Sequence, residues 1–166
     1  AHRLKYKEIW KRLIIVTEAL KTKSVKNRIA VEWPESCLYW TNVEVKEYIK
    51  KYKLKKSDFH GCRYGMIGVG KWKGWPLMKP WRVVTDCPEV AQKLNKKCYP
   101  GCHGDPPWKT EDNRSHGICE GDETKHTEGY TWDMVQSIHE GYREHVNNIS
   151  IHVPAVPCSI SSRHHL

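Results

Sequence analysis

Three cysteines and two histidines fall within the 22 residues from Cys98 to Cys119, CYPGCHGDPPWKTEDNRSHGIC, and thiolate and imidazole are the donors that close around Zn²⁺. Cys98-x3-Cys102 and His116-x2-Cys119 form two short pairs separated by 13 residues, with His103 competing with Cys102 for one position. Each short spacing lets two ligands come from one turn, and the long loop returns the chain to complete a tetrahedron. The intervening Pro, Gly, Asp and Asn could not hold this loop by apolar burial, so a metal clamp is expected. Without a metal, the same residues are buried thiols and surface histidines. His60-Gly61-Cys62, at the end of a predicted strand, keeps Cys62 as a fallback ligand, although a small buried thiol beside a turn glycine is its plainer reading.

A catalytic zinc needs an open coordination position and a general base beside it. Glu111, Asp112, Glu120 and His126 are at hand, but none stands in a His-Glu-x-x-His or His-x-Glu spacing. A closed structural site is therefore the expectation. Two other constellations could carry chemistry. Lys71-Trp72-Lys73-Gly74-Trp75, with Arg82 after Trp81, sets cations beside flat aromatic faces, the pattern that stacks bases and pairs phosphates of single-stranded nucleic acid. It also describes Trp rings covering a core edge under Lys stems. Glu32, in Glu32-Trp33-Pro34 at a strand end, is a candidate catalytic or substrate-reading carboxylate.

The elements that position these residues follow from periodicity. Leu4–Leu20 has apolar residues at helical spacing, and a basic linker, Lys21–Arg28, leads to the short β-rich run Ile29–Trp33. Asn42 is placed to cap a helix over Val43–Tyr52, whose other face carries Lys46, Lys50 and Lys51 as candidate phosphate contacts. Ser57–Tyr64 and Trp81–Thr85 read as strands, and Gly65–Pro80 between them as a glycine-rich hairpin or loop. Pro88 suits the first turn of a helix to Lys97, and Thr131 caps a final helix, Trp132–Val146. The alternation αβαβ favours a layered α/β fold, a short sheet flanked by helices with the Cys/His loop appended.

At 166 residues the chain matches one domain, read as 1–146, with 147–166 as a tail expected to be disordered. Seven cysteines is an odd count in a chain too long for a disulfide scaffold, which points to a reducing compartment, nuclear or cytoplasmic. No run approaches a membrane span, and the N-terminus, which starts at Ala1 as a segment of a longer protein would, lacks the apolar core of a signal peptide. The net charge of +9 lies wholly in the first third. Residues 1–56 hold 15 Lys+Arg against six Asp+Glu, and the remainder holds 13 of each. That excess is an electrostatic footprint for a polyanion or a well-solvated helical face.

Glu32-Trp33-Pro34 with Trp40 downstream, DFHGCRYG at 58–65, KPWRVVTD at 79–86, the Cys/His cluster and TEGYT at 127–131 together resemble a domain of mobile-element polyproteins. That domain is similar in layout to the later half of a class I methyltransferase-type Rossmann fold of the cytosine-5 DNA methyltransferases. The resemblance, over roughly Ile29–Tyr142, implies that Glu32 matches the Glu that contacts the target cytosine. It also implies that the Pro-Cys nucleophile and the loop for S-adenosylmethionine would precede Ala1, so this chain alone is not expected to methylate. The expected function is a zinc-containing nucleic-acid-binding domain. The alternatives are a catalytic fragment, methyltransferase-like or zinc-dependent, and a protein-interaction module whose tryptophans meet a partner chain.

Overall fold

A computed structural model describes residues 2–23, 27–99, 103 and 116–151. In chain order these form α1 (His2–Lys23), β1 (Ala30–Pro34), a 3₁₀ turn (Leu38–Thr41), α2 (Val43–Lys51), β2 (Lys55–His60), a 3₁₀ turn (Gly61–Tyr64), β3 (Pro80–Thr85), α3 (Pro88–Lys93), α4 (Asp122–His126) and α5 (Trp132–Ile151). The strands make one antiparallel sheet in the order β1-β3-β2. β3 is thus the central strand, pairing Val84 with Val31 of β1 and Trp81 with Phe59 of β2.

Side chains alternate across a strand, so β3 supplies two cores. Trp81 and Val83 join Phe59, Tyr64, Leu77, Val90, Leu94 and Met134 on the face covered by α3 and α5. Val84 turns the other way, to Tyr6, Trp10, Val31, Trp40, Val45 and Tyr48 under α1 and α2. Full burial of each large side chain contributes ~1.5–3 kcal/mol, which holds a three-stranded sheet that would not be stable bare.

Several sequence expectations shift in detail. The strand read as Ser57–Tyr64 is β2 over Lys55–His60 followed by a 3₁₀ turn, because Gly61 breaks the extended run. A Cβ at Gly61 would lie 2.7 Å from Met66 Sδ. The helix expected to reach Lys97 ends at Lys93. The chain then runs beside β2, where His60 N–H donates to Lys96 O at 3.1 Å. α5 continues past Val146 to Ile151, while residues 152–166 of the expected tail lie outside the described residues. Asn42 precedes α2 but does not cap it with its side chain, which donates to Tyr6 Oη at 3.2 Å and ties α2 to α1. Thr131 does act as a cap, accepting Met134 N–H at 3.3 Å. GDETK, read as a polar turn, contains α4.

Arg82 shares its face with Val84 and sits opposite Asp58 in the register. It donates to both Asp58 carboxylate oxygens, at 2.6 and 3.1 Å. Burial pushes the Asp58 carboxyl up, but Arg82 and Lys56 outweigh it and hold the group below its ordinary 3.8. A carboxyl lowered on folding contributes stability that is complete above its unfolded pKa and fades as pH falls through the folded value. Asp58→Asn is therefore expected to cost about 1–3 kcal/mol near neutral pH by leaving Arg82 short of a charged acceptor. Urea midpoints should show the gap between parent and variant narrowing as pH falls below the ordinary carboxylate range.

Candidate metal centre and nucleic-acid face

Four side chains from separate parts of the chain converge beyond the end of β2. Cys62 follows β2 in the 3₁₀ turn and is buried, at 6% exposure. Cys98 ends the segment that runs beside β2, and its backbone N–H donates to His60 Nδ1 at 3.0 Å. His116 directly precedes Gly117, whose N–H donates to Pro76 O at 2.9 Å and which bridges to Leu77. A Cβ on Gly117 would come within 2.7 Å of Leu77 Cδ2 and Trp72 Cβ, so glycine is required to bring the chain this close. His103 completes the group: one donor atom from each of Cys62, Cys98, His103 and His116 lies within 4.8 Å of the others.

Cys98 Sγ is 3.1 Å from His116 Nε2 and 3.8 Å from His103 Nε2, and the two imidazole rings sit 5.0 Å apart nearly edge to face. A tetrahedron with zinc–nitrogen and zinc–sulfur bonds of about 2.0–2.3 Å has edges of roughly 3.3–3.8 Å. The spacing therefore suits a metal ion. Burial holds the His116 imidazole below its ordinary value, with His103 and His60 adding to the effect. Burial and Arg63 do the same for His103. Neutral imidazoles keep the lone pairs that a metal needs, and two cysteines, as thiolates, would balance a divalent cation.

Two of the sequence candidates stand differently. Cys102 lies outside the described residues. Cys119 is described and lies apart from the cluster, with its Sγ 3.3 Å from Thr127 Oγ1. Residues 116–120 form no turn, and side chains three apart in an extended chain face opposite ways. The fallback, Cys62, is where Cys119 was expected. Sequence spacing could not rank it, because loops of any length can close a tetrahedron. Its one signal was a cysteine beside a glycine at a strand end.

A second group, Cys87, Glu89 and His145, also meets within 4.8 Å, where α3 packs on α5. Its members pair through Glu89, while His145 Nε2 is buried without a hydrogen-bond partner among the described residues. His145 Nδ1 lies 2.6 Å from Glu89 Oε2, Asn148 donates to the same carboxylate at 3.0 Å, and the Cys87 thiol faces Glu89 and Gly141 O. This is a tie between helices, which close so tightly that a Cβ on Gly141 would sit 2.7 Å from Val90 Cα.

The Trp/Lys loop is a folded cap. Gly68 N–H donates to Trp75 O at 2.8 Å, and a Cβ at Gly68 would clash with Trp72 O at 2.2 Å. Buried Glu123 of α4, which the sequence reading passed over, accepts N–H groups from Val69 at 3.1 Å and Trp72 at 3.3 Å. Burial pushes its carboxyl up, and these donors together with Gly70 N–H hold it lower. Trp72 packs half-buried against the core edge, its ring edge to face with Trp75 and approached by Lys71 Nζ at 5.3 Å. Lys73 is exposed. Arg82 is committed to Asp58, and Lys51 pairs with Glu18. Lys46 and Lys50, one turn apart on α2, are exposed, as are Lys53 and Lys55 beyond it, and these four make no ion pair among the described residues.

Glu32, on the face of β1 toward Trp81, accepts a hydrogen bond from Tyr130 Oη at 3.0 Å. Burial raises its carboxyl, against the pull of Tyr130 and Lys79, and burial together with Glu32 pushes the Tyr130 phenol up to about 12. Glu32 belongs to neither of the metal-competent groups among the described residues.

The fold and site define a mixed α/β module, a small antiparallel sheet between helices carrying a Cys/His group able to hold a metal ion. Comparison with known proteins gave no match, whether to protein-family models, curated proteins or solved structures. No helix among the described residues is long and apolar enough to cross a membrane.

Proposed function

We propose that the chain is a zinc-clamped nucleic-acid-binding module, with Cys62, Cys98, His103 and His116 as the zinc ligands and Lys46, Lys50, Lys53 and Lys55 as the main phosphate contacts. The observation that carries the nucleic-acid reading is that row of exposed lysines around the end of α2 and the start of β2, with no carboxylate partner among the described residues. Arg82, held by a largely buried carboxylate, has already given up its charge to the fold, whereas unpaired cations can release counterions from a polyanion. Lys71 and Lys73 extend the reading at the edge of the Trp cap. Four donors, thiolate and imidazole together, make a closed structural zinc site with no position left for a reacting water.

The test is anisotropy of a labelled oligothymidylate titrated at several salt concentrations. Four phosphate contacts on a single strand predict a log–log salt slope of about −3, or about 50-fold weaker binding between roughly 50 and 200 mM salt. Changing Lys46, Lys50, Lys53 and Lys55 together to Ala should flatten that slope toward zero. Salt-independent binding, or a variant that binds as the parent does, would remove the reading.

A further inference from the structure

We infer that the Cys/His group is a peroxide-sensitive switch, in which Cys98 is oxidised first and Cys62 closes on it in a disulfide that expels the metal. The release of zinc rests on the zinc reading above. The sulfur chemistry does not, because the two cysteines can carry it with or without an ion.

Three observations single out this pair. The first is proximity across the fold. Cys62 and Cys98 come from different stretches of the chain, yet their Sγ atoms lie within 4.8 Å of one another, and neither is in a disulfide. The other described cysteines stand elsewhere. Cys119 Sγ lies 3.3 Å from Thr127 Oγ1, Cys87 is buried against Glu89, and Cys37 packs at the edge of the core under α1 and α2.

The second is unequal access. Oxidation of a thiol follows its exposure and its thiolate character. Cys98 is half-buried and precedes Tyr99, which is 59% exposed, whereas Cys62 is closed in the 3₁₀ turn after β2. A small oxidant from solvent therefore meets Cys98 before Cys62, which casts Cys98 as the attacked sulfur and Cys62 as the resolving one. Cys98 also lies outside any helix or strand, so its side chain can turn toward Cys62 without breaking an element.

The third is charge. Arg63 follows Cys62 in the same turn, and its guanidinium carbon sits 5.1 Å from the centre of the Tyr99 ring, beside Cys98. A guanidinium close to both sulfurs favours thiolate over thiol.

The chemistry balances with hydrogen peroxide as the oxidant. An electron pair of the Cys98 thiolate attacks one peroxide oxygen, so that an S–O bond forms, the O–O bond breaks and hydroxide leaves, giving the sulfenic acid. The Cys62 thiolate then attacks the Cys98 sulfur, forming the S–S bond and releasing a second hydroxide. Two thiolates are oxidised by two electrons and the peroxide is reduced to two hydroxides. Both attacks come from sulfur, so a closed zinc site needs no open coordination position. With both thiolates consumed, His103 and His116 are too few donors to hold zinc. The disulfide keeps the 94–99 segment joined to the turn after β2 and lets the His116 stretch go.

The experiment titrates hydrogen peroxide into the zinc-loaded full chain with a chromogenic zinc indicator, followed by non-reducing peptide mapping. One zinc should be released per disulfide formed, the map should join Cys62 to Cys98, and dithiothreitol should restore metal uptake. Oxidation at Cys98 should run at least tenfold faster than at Cys37 or Cys87. Cys119→Ser should release zinc within twofold of the parent rate. In metal-free Cys62→Ser, Cys98 should persist as a sulfenic acid that dimedone traps, and if that variant does not fold, the map of the parent chain decides. A disulfide from Cys98 to any other cysteine, Cys102 included, would overturn the inference. So would overoxidation of Cys98 with no disulfide, or zinc retained while other thiols are oxidised. A zinc-loaded chain inert to peroxide removes the switch and keeps the clamp, whereas a chain that holds no zinc yet joins Cys62 to Cys98 does the reverse.

Discussion

A strong chelator is expected to unfold the end of the sheet where β2 meets the 94–99 segment, with loss of near-ultraviolet aromatic signal and a much lower melting temperature. Structural zinc contributes about 10–16 kcal/mol of apparent binding energy in small metal-dependent folds, and here that energy would be coupled to folding. The coupling follows from where the four residues sit. Cys62 is anchored to β2, Cys98 to the segment bonded to His60, and His116 to Gly117 against Leu77, so the cluster joins three separate stretches of the chain. Elemental analysis should find one zinc per chain. Cys62→Ser, Cys98→Ser and His116→Ala should each abolish it. Cys119→Ser should keep the metal, because that thiol faces Thr127, and metal lost with Cys119 but retained without Cys62 would overturn the ligand set. Loss of metal and loss of the salt-dependent binding described above are separate readouts, so either half of the proposal can fail alone.

Trp81→Ala is expected to cost about 3–5 kcal/mol, the range for emptying a large aromatic site in a core. Trp81 lies on the central strand at 3% exposure, edge to face with Phe59 and Tyr130 at 5.7 and 5.8 Å. Removing it leaves a cavity bounded by both neighbouring strands, and β3 has no flexible side to collapse inward. Trp132→Ala, at 76% exposure on the first turn of α5, should fall within about 0.5 kcal/mol of the parent. Urea unfolding of the pair measures the contrast. A similar cost at both sites would mean that the alternation of β3 across two cores is wrong.

These two residues also mark how far the sequence reaches. Eight tryptophans are visible in it, but their surroundings are not. The alternation of WRVVT placed Trp81 in a strand, whereas Trp72 and Trp75 read equally as a base-stacking loop or a core cover. Burial against the core edge and the hydrogen bonds of Val69 and Trp72 N–H to Glu123 favour the cover, and Glu123 lies far along the chain in a stretch that looked like a turn. The cations tell the same story. Lys50 and Lys51 are neighbours on α2 with the same local pattern, but only Lys51 points at Glu18 of α1. Whether a charge is spent or available is a property of the partner across the fold.

The sequence by itself determined the order of the strands and of every helix but α4, most of their boundaries to within a few residues, the position of the basic excess and the presence of a Cys/His loop. All of these rest on interactions between near neighbours, namely a period of 3.6 or two, a Thr cap, or a glycine that ends a strand. The antiparallel order β1-β3-β2 and the meeting of Cys62 with Cys98, His103 and His116 were decided only by the tertiary structure. The physical reason is that a coordination shell is selected by where backbones converge. Convergence here is set by the pairing of β2 with β3, by the 94–99 segment laid along β2, and by the absence of a side chain at Gly117, none of which leaves a fixed spacing in the chain.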